Sequence, residues 1–267
     1  IKTKLSLDNH PIVSTLSEKV SNIQNEVFEN FSNKMKKKYR GRKSPLCAIE
    51  AVKATTNLTF NEGLEKEREL FKLCHDSKES SSLIHMFFSE RKALKIPDIP
   101  KDTKILSINS AAVIGCGTMG GGIAMNFANV GIPVIVIEDS QESLDNGIKI
   151  IEKNYSNTVS KGRMSDSEFK SRMSLIKGST SLKSIVDADV VVEAVFEEMK
   201  LKKEMFSKID KLAKESAILA TNTSTLDIDQ IAESTSRPEH VIGTHFFSPA
   251  NVMKLLEIVR GKKTSKE

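Results

Sequence analysis

The chain has 267 residues, 39% of them hydrophobic and 28% charged, a balance typical of a globular protein with one large domain or two smaller ones. Its net charge of +5 is too small and too dispersed to indicate a nucleic-acid partner, although it would attract an anionic substrate. No apolar run of about eighteen residues predicts a membrane span, and the scattered cysteines Cys47, Cys74 and Cys116 predict neither a metal site nor disulfides.

Residues 1–95 are predicted to form a helical segment. Apolar residues recur every three or four positions from Thr15 to Ala93, and strand signals are scarce. Ser44-Pro45 predicts one helix start, Asn61–Gly63 predicts a second, and Ser80–Ser82 predicts a break before an apolar stretch. We therefore expect three helical pieces.

Residues 96–106 are predicted to be a linker between two folding units. The stretch from Lys95 to Thr103 combines two prolines and several charges with little hydrophobicity. The second domain is accordingly expected to cover residues 107–267.

From residue 107 onward, short β-branched runs alternate with amphipathic segments. We predict strands at 111–115, 134–138, 174–177, 189–195, 217–221, 241–245 and 253–259, and helices at 118–130, 142–161, 200–214 and 228–233. Strands buried on both faces and separated by helices indicate an α/β fold, a Rossmann-type doubly wound parallel sheet.

The segment Gly115–Gly120 fits the pattern GxGxxG between a strand and a helix, and a second strand ends in Glu138, near the usual spacing of about 20 residues. Gly115 permits a tight turn, Gly117 lets backbone amides approach a pyrophosphate, and Gly120 allows close packing of helix and strand. Glu138 would accept hydrogen bonds from a ribose, and no Lys or Arg at 139–142 could meet a 2′-phosphate. The pattern predicts NAD rather than NADP; the alternative is that these residues are purely structural.

Polar residues follow two later strands, in the segments 221–226 and 245–250. Because ligands gather at the carboxyl ends of strands in open α/β sheets, Ser224 and His245 are expected on the same side as the glycine loop. A carboxylate on an apolar strand, Glu257, is expected to partner His245. The histidine could take a proton from an alcohol, the carboxylate could orient it, and Ser224 could donate to the substrate oxygen. By composition alone, a structural histidine stays the commoner alternative.

Four segments carry a family resemblance: the glycine loop with the following GGIA, VEAVFE at 192–197, TNTSTL at 221–226 and HFFSPANVMKLLEIVRG at 245–261. In this order they resemble the 3-hydroxyacyl-CoA dehydrogenase family over about residues 107–263. The form HFFSPA, together with FFSERK at 87–92, is similar to multifunctional β-oxidation enzymes that fuse an enoyl-CoA hydratase/isomerase to this dehydrogenase. Residues 1–95 would then be the tail of the hydratase half and connecting helices.

The resemblance implies oxidation of (S)-3-hydroxyacyl-CoA to 3-oxoacyl-CoA with NAD, with His245 as catalytic base, Glu257 as its partner and Ser224 near substrate and nicotinamide. Positions matching the family's cofactor contacts are Met119, Glu138, Val195, Glu197, Lys202 and Ser224. Ser248 stands where many monofunctional members have Asn, and the resemblance implies that its shorter hydroxyl contacts the cofactor. Lys161 matches a lysine that can meet the CoA phosphates, and plain solvation is the alternative for Lys161 and Lys202.

The family continues with a helical domain that closes over the acyl-CoA, and we expect this chain to lack that domain and the hydratase core. We therefore expect it to bind NAD but to turn over poorly by itself. A thiolase subunit or a homo-oligomer is an expected partner of the full-length protein, and the expected compartment is the cytoplasm, with the peroxisome as the alternative. Two other functions stay open: an NAD-binding module without catalysis, and another two-domain NAD-dependent hydroxyacid dehydrogenase.

Overall fold

The computed structural model describes residues 23–96 and 98–267, so the predictions made for residues 1–22 and for Pro97 lie outside the described residues. The chain divides into two compact units, the first ending at Asp98 and the second running from Ile99 to Glu267. This division falls inside the stretch predicted as a linker, while the domain limits drawn from the sequence stay predictions.

Four helices make up the described part of the first unit: α1 (Asn25–Lys38), α2 (Ser44–Ala54), α3 (Phe60–His75) and α4 (Lys78–Ala93). A capping box starts α3, because Thr59 Oγ1 accepts from the Glu62 amide at 3.4 Å and the Glu62 carboxylate accepts from the Thr59 amide at 2.9 Å. No residue between 23 and 96 is buried.

The break predicted at Ser80–Ser82 is wrong, because these serines lie in the first turns of α4. Ser77 Oγ accepts from the amide of Ser80 at 3.1 Å and so caps the helix, and Ser82 Oγ donates to the Lys78 carbonyl at 2.8 Å. The serines therefore satisfy backbone groups of a helix instead of ending one.

The second unit is a seven-stranded sheet with helices on both faces. Its strands are β1 (Ala111–Ile114), β2 (Val134–Ile137), β3 (Ile176–Ser179), β4 (Val190–Glu193), β5 (Ile218–Thr221), β6 (Val241–Phe246) and β7 (Leu256–Arg260). Its helices are α5 (Thr118–Asn129), α6 (Gln141–Ser160), α7 (Asp166–Ser174), α8 (Met199–Leu212) and α9 (Ile228–Ala232). The strand order is β3-β2-β1-β4-β5-β6-β7, and the first six strands are parallel. The predicted fold class is confirmed.

Two details differ from the sequence prediction. The last strand, β7, pairs with β6 antiparallel, because the connection 247–255 is too short for the crossover that a parallel strand requires. Helix α7 was not predicted, although Ser165 and Glu168 form a capping box, a motif that indicates the start of a helix.

The core lies on the two faces of this sheet. On one face α5 and α6 pack through residues such as Ile123, Ile151 and Tyr155, and on the other α8 and α9 pack through residues such as Phe206 and Ile231. The helix that follows β1 thus covers one face of the sheet, and the helix that follows β4 covers the other. Because the chain leaves these two neighbouring strands on opposite faces, a crevice opens between their carboxyl ends.

Candidate active site

The glycine loop between β1 and α5 packs closely because two of its residues have no side chain. Gly115 has φ of 97°, which favours glycine, and a Cβ there would lie 2.9 Å from the Ala194 carbonyl oxygen. A Cβ on Gly120 would lie 1.9 Å from the Gly115 carbonyl oxygen, so only glycine lets α5 start this close to β1.

Gly117 differs, because nothing lies within 4 Å of the position that its Cβ would take. It is the N-cap of α5 and provides no side chain to accept from the amides of the first turn. A pyrophosphate fits this arrangement, since helix N-termini bind anions through such amides.

Glu138 lies directly after β2, beside the glycine loop. Its Oε1 accepts a hydrogen bond from the Cys116 amide, and its Oε2 accepts a long one from the Asp139 amide at 3.4 Å. The carboxylate thus contacts the loop itself, a bond that the sequence did not predict. Burial, helped by the negative charge of Glu138, raises the pKa of the Cys116 thiol to about 11, so this cysteine is a packing residue and not a nucleophile. Met119 is half-buried in the first turn of α5.

The loop after β4 contains Val195 and the exposed Glu197, which reaches across to the loop after β5. Glu197 Oε1 accepts from Thr223 Oγ1 at 2.6 Å, from the Ser224 amide at 2.8 Å and from Ser224 Oγ at 3.1 Å. Burial acts to raise the pKa of Glu197, but these hydrogen bonds and the Lys202 charge outweigh it and lower the pKa to about 2. Two residues with predicted cofactor roles, Glu197 and Ser224, are therefore in direct contact.

Lys202 is fully buried, so plain solvation, the alternative that the sequence left open, is wrong for this lysine. Its Nζ lies 2.7 Å from Glu193 Oε1 and 3.5 Å from Glu197 Oε2. The lysine therefore lies beneath the loop after β4, and its predicted contact with the cofactor stays a prediction.

His245 and Glu257 face each other across the antiparallel pair β6–β7, where their Cα atoms are register partners. His245 Nδ1 lies 2.8 Å from Glu257 Oε2, a distance that fits donation of the Nδ1 proton to the carboxylate. The imidazole also packs on the Phe247 ring, with the ring centroids 4.7 Å apart. The other nitrogen, Nε2, is then left to accept a proton. The structure brings the two residues together as the sequence predicted.

The loops after β5 and β6 are neighbours, because these two strands are adjacent and parallel. Asn222 Oδ1 accepts from the Phe246 amide at 3.0 Å and ties the loop that carries Ser224 to the strand end that carries His245. Ser248 lies exposed in the loop that follows. The sequence reasoning gave no role to Asn222, nor to Glu193, a carboxylate at the end of a valine-rich strand; that unusual position was the available signal.

Lys161 directly follows α6 and lines a cavity of about 460 Å³ together with Arg163 and Arg172. Tyr155 and Asn129 line the same cavity, and none of its described lining residues is Asp or Glu. The cavity therefore has a positive lining. Among residues 23–96 and 98–267, no helix is long and apolar enough for a membrane crossing, and no three His, Cys, Asp or Glu side chains are grouped as metal ligands.

Residues 110–267 match the model of the family described as 3-hydroxyacyl-CoA dehydrogenase, NAD binding domain. The peroxisomal bifunctional enzyme of Cavia porcellus is 40% identical to the chain over 256 residues, which are 94% of this chain and 35% of that protein. The human enzyme of the same name is 38% identical and matches 90% of this chain and 33% of its own length. The chain thus spans about a third of the length of these relatives.

Two solved structures show the same similarity in three dimensions. The dehydrogenase part of multifunctional enzyme 1 from C. elegans has a TM-score of 0.58 and 33% identity, covering 65% of this chain and 40% of that one. The (S)-3-hydroxybutyryl-CoA dehydrogenase of Ralstonia eutropha has a TM-score of 0.59 and 36% identity, covering 60% of this chain and 56% of that one.

Proposed function

The chain belongs to the family of 3-hydroxyacyl-CoA dehydrogenase NAD-binding domains, and on that premise we propose that it serves the NAD-dependent oxidation of (S)-3-hydroxyacyl-CoA to 3-oxoacyl-CoA in fatty-acid β-oxidation. The observation that carries this proposal is the His245–Glu257 pair, 2.8 Å apart, on the side of the sheet where the parallel strands end. An oxidation of this type requires a base beside a nicotinamide, and both requirements would be met at this one edge.

The chemistry that bound NAD would supply is the acceptor for the hydride that leaves the hydroxyl-bearing carbon. His245 takes the hydroxyl proton on Nε2, because Nδ1 is engaged by Glu257. The Glu257 carboxylate stabilises the imidazolium that results and keeps the ring in one orientation. Ser224 Oγ has one proton, which it donates to Glu197 Oε1 at 3.1 Å, and it would turn that proton to the substrate oxygen while Glu197 keeps the Ser224 backbone amide.

The cofactor would lie across the crevice between β1 and β4. The amides after Gly117 would hold the pyrophosphate, Glu138 would accept from the adenosine ribose, and Met119 would line the same half of the site. The loops with Val195, Glu197 and Ser248 would surround the other half. Both the open space at Gly117 and the position of Glu138 beside the loop support this orientation.

The substrate is proposed to be held as a CoA thioester. Lys161 would meet CoA phosphates, as the resemblance implies, and the cavity that it lines with Arg163 and Arg172 supports this role through its positive lining. Substitution of Lys161 by Met should raise the KM for the acyl-CoA and leave the affinity for NAD unchanged.

The proposed compartment is the peroxisome. The cytoplasm was the first expectation from the sequence, but the similar proteins from animals are named peroxisomal, and this favours the alternative. The match to these bifunctional enzymes over 94% of the chain also supports assigning residues 1–95 to the same multifunctional protein. A thiolase subunit or a second copy of the chain as partner stays a prediction from the resemblance.

The proposal is tested by following NADH formation from (S)-3-hydroxybutyryl-CoA in the full-length protein. The (R) enantiomer and free 3-hydroxybutyrate are the matched control substrates. We expect turnover of the (S)-CoA ester alone. NADH formation from the free acid at the same rate would contradict a CoA-dependent site and favour another hydroxyacid dehydrogenase. NAD binding without turnover of any substrate would favour a binding module.

A further inference from the structure

Glu193, the last residue of β4, is a fully buried carboxylate with no part in the chemistry described so far. Its Oε1 accepts from the Val195 amide at 2.8 Å and from Lys202 Nζ at 2.7 Å, and its Oε2 accepts from Thr221 Oγ1 at 2.6 Å. The donors belong to the loop after β4, to α8 and to β5. One carboxylate therefore joins three separate elements at the carboxyl edge of the sheet.

Lys202 extends this contact toward the surface. Its Nζ lies 3.4 Å from the Val195 carbonyl oxygen and 3.5 Å from Glu197 Oε2. Glu197 in turn accepts from Thr223 Oγ1 and from the Ser224 amide. A line of alternating charges, negative at Glu193, positive at Lys202 and negative at Glu197, thus runs from the core to the backbone of Ser224.

We propose that Glu193 is a positioning residue for the nicotinamide half of the cofactor site. Being fully buried, it can act only through the residues it holds, the 195–197 loop and, through Lys202 and Glu197, the 223–225 loop. Moving a buried ion pair out of water costs free energy that apolar packing would avoid, so stability alone is a weak reason for such a pair. We infer that the Glu193–Lys202 pair instead holds the two loops in one position relative to each other.

This inference rests on the proposed function, because it assigns the two cofactor halves to opposite sides of the β1–β4 crevice. The adenosine half belongs to the glycine loop after β1 and to Glu138 after β2, and β4 separates both strands from β5 in the sheet order. Loss of Glu193 should therefore weaken binding of the half that carries nicotinamide and spare the other half. ADP, which lacks nicotinamide and its ribose, is a probe for the spared half.

The experiment titrates the chain with NAD and with ADP by calorimetry, before and after the substitution Glu193→Gln. Glutamine has nearly the same size, but it cannot hold the ammonium of Lys202 by charge. We expect the Kd for NAD to rise about tenfold, as for the loss of one charge-assisted hydrogen bond, and the Kd for ADP to change by less than about twofold. Glu193→Asp, which keeps the charge but shortens the reach, should show the same pattern more weakly and serves if Glu193→Gln does not fold.

Asp210→Asn is the matched control, because Asp210 forms another largely buried ion pair, with Arg237 at 2.9 Å, before the amino end of β6. It should lower Tm without changing the ratio of the NAD and ADP affinities. Equal weakening of NAD and ADP in Glu193→Gln, or no weakening of NAD, would overturn the positioning role and leave the proposed function standing. Absence of NAD binding in the unaltered chain would overturn both.

Discussion

The two ends of the candidate site, the glycine loop and the loops after β5 and β6, differ in what forms them. At the glycine loop the site depends on side chains that are absent, since a Cβ on Gly120 would collide with the Gly115 carbonyl oxygen. At the ends of β5 and β6 it depends on side chains that are present and paired, above all His245 with Glu257. The first end offers backbone amides to an anion, and the second offers groups that can move a proton. Affinity for the cofactor and turnover should therefore respond to different substitutions.

The largest effect is expected at the histidine end. His245→Gln removes the base, so turnover should fall by roughly 10²–10⁴-fold, the usual contribution of a general base. The Kd for NAD should stay unchanged, because it rests on the glycine loop. Steady-state NADH formation and calorimetric titration of the same preparation check both parts.

Glu257→Gln is the matched variant for this prediction. It keeps His245 and removes the charge that orients the ring, so its loss of turnover should be smaller than that of His245→Gln. A variant of either residue with undiminished kcat would refute the assignment of base and partner.

The next largest effect is expected at the glycine loop, where alanine at Gly117 and at Gly120 should have different effects on Tm. Gly117→Ala should leave Tm unchanged, because open space surrounds the added methyl group and Gly117 has a φ of -69° that alanine adopts easily. It should still weaken NAD binding by tenfold or more, about 1.4 kcal/mol, since the methyl occupies the space assigned to the pyrophosphate. Gly120→Ala should lower both Tm and NAD affinity. Unchanged NAD affinity in Gly117→Ala would show that the pyrophosphate lies elsewhere.

A smaller effect is expected at Glu138. Replacing it by Ala removes the acceptor for the ribose hydroxyls and the negative charge that repels a 2′-phosphate. The ratio of the Kd values for NADP and NAD should fall toward one, mainly through weaker NAD binding. Comparable Kd values for the two cofactors before any substitution would contradict the assignment.

The smallest effect concerns stability against acid. The pKa of Glu197 is lowered to about 2 in the folded chain from an ordinary value of 4.5. Its carboxylate therefore stabilises the fold fully above pH 4.5, and this contribution is lost as the pH falls toward 2. In the Glu197→Gln variant, Tm should therefore fall less steeply than in the unaltered chain as the pH is lowered from 4.5 to 2. Glu204→Gln, an exposed carboxylate on α8, is the control and should leave the slope unchanged.

Much of this site could be predicted from the order of residues, because the motifs that indicate it lie within short stretches of sequence. The glycine spacing, the strand before it and Glu138 after the second strand lie within one short stretch. The pairing of His245 with Glu257 was also expected, since a carboxylate on an apolar strand needs a partner. Cofactor and family were confirmed by the match over residues 110–267. The individual residue roles stay predictions.

Other features had no local signal. The Glu193–Lys202 pair joins residues nine positions apart whose contact depends on how α8 packs back onto the sheet. Ser80–Ser82 looked like a break because serine favours helix ends, yet Ser77 had already taken that position.

The sequence by itself determined the alternation of strands and helices, the glycine loop and the residue types available for chemistry, because these depend on spacing along the chain. Only the tertiary structure decided the antiparallel direction of β7, the burial of Lys202 and the bond between Glu138 and the Cys116 amide. Each of these depends on which elements become neighbours when the apolar faces of the sheet are covered. A lysine on α8 is solvated or buried according to the side of the helix that meets the core, and there a carboxylate from β4 was needed to balance its charge.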